Sequence, residues 1–85
     1  MAPGPRITLV DRPGCHLCEV AEQVIRQVAD EDGIPWERVD ITSSSDLAAR
    51  YAERVPVVLV DGREVAHWTV SAPVLRRALR RRGRR

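Results

Sequence analysis

Lysine and phenylalanine are both missing from this 85-residue chain, methionine occurs once and cysteine only twice. Every basic side chain is therefore an arginine, a bias that reflects GC-rich coding more than any demand of the chemistry. Two cysteines cannot build the multi-bridge framework of a small secreted domain. No apolar run approaches the length that spans a bilayer, and "MAPGPR" followed by the short "ITLV" lacks the charged and apolar regions of a secretory signal. The expectation is a soluble, cytoplasmic protein with no membrane partner. A second core is also excluded, because chains divide into several domains only well beyond this length. The expected organisation is one domain over 1–85, with its core over about 6–80 and a basic tail at 81–85.

Charge is unevenly placed. Residues 1–75 hold seven arginines against twelve acids, net −5, and the last ten residues add seven arginines. Such a tail would suit an acidic partner or nucleic acid. It contains no aromatic residue, however, and Arg76, Arg77 and Arg80 fit the wet face of a final helix. The solvated reading is preferred, and no nucleic-acid partner is expected.

"RITLV" (Arg6–Val10) is β-branched and apolar, as in a central strand buried on both faces. Pro13 and Gly14 break it. Leu17, Val20, Ala21, Val24, Ile25 and Val28 then recur at three- and four-residue steps, predicting an amphipathic helix from about Cys15 to Glu31 that stops near Gly33. "WERVDI" (Trp36–Ile41) reads as a second strand nearer an edge. Ser43–Ser45 offer caps for a short helix ending by about Arg54, with Leu47, Ala48, Tyr51 and Ala52 as its inner stripe. "VVLV" (Val57–Val60) is a third strand. Asp61-Gly62 is a type I′ hairpin signal, so the fourth strand, "REVAHW", returns antiparallel. Ser71 caps a last helix with Pro73 in its first turn and Val74, Leu75, Ala78 and Leu79 facing inward. The order β-α-β-α-β-β-α demands one parallel pair joined by a crossover and one antiparallel hairpin, hence a mixed α/β sheet.

The chemistry concentrates in "DRPGCHLCEV". Only the thiolate of a cysteine is a nucleophile, and an ordinary thiol is mostly protonated at neutral pH. Cys15 at the first turn of a helix meets unpaired N–H groups and the positive end of the macrodipole, both of which stabilise an anion. Arg12, and His16 when protonated, would add positive field. Cys18, one turn on, can displace a product bound to Cys15 and leave an intramolecular disulfide. Pro56, just before the third strand, is a candidate cis-proline. It would present the main chain of Val55 to an extended substrate segment.

Those features together resemble the glutaredoxin-like branch of the thioredoxin superfamily over roughly residues 6–80, and "DRPGCHLC" looks like the active-site turn of its small CHLC-type members. The resemblance implies a thioredoxin-like, four-stranded mixed sheet of order 2-1-3-4 with helices on both faces. It implies Cys15 as nucleophile, Cys18 as resolving thiol, Pro56 as cis-proline and Val55 as substrate-pairing residue, with Arg12 where glutaredoxins carry a basic residue for glutathione. The chain departs from the pattern in having His-Leu between the cysteines and "HWTVSAP" in place of the Gly-Gly after the fourth strand. The expected activity is thiol-disulfide exchange with a disulfide-bearing protein or small thiol, working as a monomer. No tightly bound cofactor is expected. The reductant would be glutathione, another low-molecular-weight thiol, or a thioredoxin-reductase-type partner.

Plainer readings stand beside this one. The cysteine pair could be half of a metal site, which would need His16 and His67 as further ligands, or a site retained only by ancestry on a non-catalytic binding module. His67 reads as a half-exposed sheet residue, and Trp36 and Trp68 as sheet-face or core packing. Arg12 could equally be a solvated loop charge.

Overall fold

The computed structural model describes residues 4–83. The chain runs β1 (Ile7–Asp11), α1 (His16–Asp32), β2 (Trp36–Asp40), a short 3₁₀ turn (Ile41–Ser43), α2 (Ser45–Tyr51), β3 (Val57–Val60), β4 (Arg63–His67) and α3 (Ala72–Gly83). The strands form one sheet in the order β2-β1-β3-β4. β1 and β2 are parallel, joined by α1, while β3 is antiparallel to both β1 and β4. This is the mixed thioredoxin-like arrangement that the element order predicts. Of the segment set apart as a basic tail, residues 81–83 continue α3, and 84–85 lie outside the described residues.

Local chemistry explains where the elements stop. Gly33 ends α1 in the left-handed region, φ 63°, and its N–H donates to the Ala29 carbonyl, a conformation that costs glycine nothing. Asp61 and Gly62 take φ of 52° and 86°, the two positive values that a type I′ turn requires. Ser44 is the cap of α2, its hydroxyl accepting from the N–H groups of Asp46 and Leu47. Ser71 does the same for Val74 at the start of α3. Each such cap contributes about 1 kcal/mol.

Two apolar layers flank the sheet. Ile7, Leu9, Val58 and Val60 pack against Ala21, Ile25, Val28 and Ala29 of α1 and Leu75 and Leu79 of α3. On the other face Val10 and Val57 meet Ile41, Tyr51, Val55 and Cys18. Each fully buried aliphatic side chain removes enough surface from water to contribute roughly 1.5–3 kcal/mol.

The helix stripes differ in detail from the periodicity. Leu17 and Val20, expected inside, are 45% and 44% exposed. The buried line is Cys18, Ala21, Ile25, Val28 and Ala29. Turning Cys18 inward beneath Cys15 sets the rotation of the first turn, and the 100° step of a helix then sends positions 17 and 20 outward. Ala52 lies past the end of α2 and is exposed, and Val24 is only half-buried. Val74 is also exposed, while Leu75 and Leu79 are buried and Ala78, as expected, packs against the same core.

Candidate active site

Cys15 is the cap residue of α1, with extended backbone, and the sulfurs of Cys15 and Cys18 lie at disulfide distance across a Cα–Cα separation of 5.2 Å. The Cys18 N–H donates to Cys15 Sγ at 3.1 Å. Cys15 therefore fills the place usually held by a serine or aspartate oxygen, accepting from one of the N–H groups that a helix start leaves unpaired. Burial separates the pair: Cys18 is sealed in the core, while Cys15 is partly open to solvent. That inequality leaves Cys15 the more accessible of the two cysteines.

The turn arises from Pro13 and Gly14, which end β1 and start α1. Gly14 has φ 73°, a value open to glycine at no steric cost. Arg12 is exposed and makes no ion pair with a described residue. His16 is exposed on the first turn of α1.

Val55 and Pro56 come from the other side. The Val55–Pro56 peptide bond is cis. Val55 packs in the same apolar cluster as Cys18, with Cys15 against it, and precedes β3 without a ladder partner. The structure thus brings Cys15, Cys18, Val55 and Pro56 together and leaves Arg12 and His16 on the solvent side of the turn. His67 is instead part of an ion network, its Nδ1 3.1 Å from Glu64, which also pairs with Arg54 at 3.1 Å. Among the described residues no group of three or more His, Cys, Asp or Glu side chains is placed to hold a metal.

A family model, the glutaredoxin-like domain (DUF836), matches residues 6–80. The chain belongs to that glutaredoxin-like family. An uncharacterized protein of Mycobacterium tuberculosis is 37% identical over 78 residues, covering 85% of this chain and 79% of the relative. The X-ray structure of an X. campestris protein superposes with TM-score 0.72 at 36% identity, covering 88% of this chain and 96% of the other. A Fasciola hepatica thioredoxin shares the fold, with TM-score 0.58 at 23% identity over 92% of this chain and 82% of its own.

Periodicity and motif left two features at this end of the sheet unseen. Asp11, at the end of β1, is a buried carboxylate, its side chain 7% exposed, paired with Arg38 of β2 through both Nε at 2.8 Å and Nη2. Arg38 also reaches Glu22 on α1 at 2.5 Å. The hydrogen bond to Asp11, ahead of any other cause, raises the Arg38 pKa above its ordinary value. The alternation of Arg38 and Asp40 on an edge strand hinted at a charged face but not at its partner. The second feature is Trp68, read from sequence as sheet-face or core packing. It is 53% exposed, with φ 65°. The strand ends one residue before it, at His67.

No helix among the described residues is long and apolar enough to cross a membrane.

Proposed function

We propose that the protein is a thiol-disulfide oxidoreductase that works through Cys15 and Cys18. The observation that carries this reading is the helix-capping sulfur: Cys15 Sγ receives the Cys18 N–H at 3.1 Å while the Cys18 side chain is buried. In the reduced protein that same amide, with the α1 dipole behind it, faces a thiolate and stabilises it.

The steps balance as follows. The Cys15 thiolate attacks one sulfur of a substrate disulfide, forming a mixed disulfide and expelling the other sulfur as a thiolate. Cys18 then loses its proton to solvent or to that leaving group and attacks Cys15 Sγ, releasing the second substrate thiol. Two electrons have passed to the substrate, and the Cys15–Cys18 disulfide remains. A low-molecular-weight thiol or a thioredoxin-reductase-type protein returns them in the cytoplasm. Val55 would offer its main chain to an extended substrate beside Cys15, and Arg12 and His16 would attract anionic substrates.

Replacing each cysteine in turn tests the reading. Cys15→Ser is expected to abolish disulfide reduction, whereas Cys18→Ser should accumulate a mixed disulfide at Cys15, seen as added mass that dithiothreitol removes. Two equally unreactive single variants would refute it.

A further inference from the structure

We propose that Trp68 is the contact platform on which an extended polypeptide substrate lies while its disulfide reacts at Cys15; this rests on the oxidoreductase reading above. Trp68 holds φ 65°, a left-handed conformation that is a genuine outlier for a bulky side chain and costs free energy. Core burial does not return that cost, since the residue is 53% exposed.

Specific contacts hold it in place instead. Its backbone N–H donates to the Pro56 carbonyl at 2.8 Å and, more weakly, to Arg54 at 3.3 Å. Its indole N–H donates to the Glu53 carbonyl at 3.1 Å. The His67 ring meets it edge to face, with centroids 4.9 Å apart. A large amphipathic ring is therefore fixed, still half in water, against the loop that carries Val55 and Pro56. Surface strain kept by this many contacts marks a binding residue better than a packing one.

The ladder registers locate it relative to the chemistry. Val10 lies opposite Val57, and Val57 opposite His67. Continuing both by one residue aligns Asp11, Pro56 and Trp68 in a row across one end of the sheet. Trp68 thus stands two strand spacings, about 10 Å, from the end of β1 that leads into Cys15. A segment lying across this end of the sheet covers that distance in about three extended residues, at about 3.3 Å each. Its side chain roughly three positions from the reacting cysteine would reach the ring, and an apolar or aromatic residue there fits best. A small disulfide would never reach it.

Single-turnover oxidation of the pre-reduced protein tests this without any recycling partner. Two probes are compared: a ten-residue peptide disulfide with aromatic residues flanking its cysteines, and bis(2-hydroxyethyl) disulfide. Glycine accepts φ 65° without strain, which offsets part of the ring contacts that Trp68→Gly loses, and matching circular dichroism spectra of variant and parent establish that both are folded before rates are compared. It is expected to react with the peptide disulfide about five- to tenfold more slowly, the factor one lost aromatic contact carries, with an unchanged rate toward the small disulfide. Trp68→Phe, which keeps a ring, should recover most of the peptide rate. Equal rates for parent and Trp68→Gly on both probes would overturn the platform role alone, as would parallel losses on both. A parent protein inert toward both probes would instead overturn the oxidoreductase reading beneath it.

Discussion

Replacing Arg38 with methionine keeps an unbranched apolar stem but removes the guanidinium and its charge, leaving Asp11 without the group that satisfies it. The two groups are unequally placed: the Asp11 side chain is 7% exposed and that of Arg38 is 46% exposed. Breaking a fully buried pair by deleting one partner costs about 3–5 kcal/mol, because the remaining charge stays desolvated. The half of Arg38 that faces water screens the interaction and lowers the figure. A destabilisation of about 2–3 kcal/mol follows, or roughly 10–20 °C in Tm for a domain of this size. In urea, with a slope of about 1–3 kcal/mol per molar, the midpoint should fall by roughly 0.7–3 M. Both proteins are measured in the same redox state. Adding Asp11→Asn to the variant removes the stranded charge and should recover part of the loss, whereas Asp11→Asn alone should destabilise. A shift below about 0.5 kcal/mol, the range of ordinary surface substitutions, would refute the claim that this ion pair anchors the end of β1 before the active-site turn.

Two further outcomes follow from the packing and the charges. Leu75→Ala empties the contact by which α3 docks on the sheet, where Leu75 is fully buried, and should cost about 2–5 kcal/mol in equilibrium unfolding. The Glu31 carboxyl is held below its ordinary value of 4.5, first by its hydrogen bond from Arg76. A lowered folded-state value means the pair contributes to stability above pH 4.5 and that the contribution disappears as pH falls through the lowered midpoint. Carboxyl titration by NMR should find the Glu31 midpoint below 4.5 and moving up in Arg76→Gln.

Much of the fold was legible because its signals are local. The β-branched runs at 7–10 and 57–60, the Asp61-Gly62 turn and the Ser44 and Ser71 caps each report their own geometry. The cysteine spacing likewise marked the candidate active-site turn, and the X-Pro bond marked the loop opposite. What stayed hidden depends on long-range pairing. Arg38 and Asp11 are 27 residues apart and meet only because β1 and β2 run parallel in register. Trp68 looked like the last residue of a strand, since nothing in "REVAHW" announces that its backbone bends back onto the 53–56 loop. Leu17 and Val20 fit the helical period but face outward because the buried Cys18 fixes the rotation of α1.

The most direct test of the central claim is the pH dependence of Cys15 alkylation by iodoacetamide in the reduced Cys18→Ser protein. The account predicts half-maximal reactivity well below the ordinary thiol value of about 8.5, because the helix-start amides hold the anion. A profile centred at that ordinary value would contradict it.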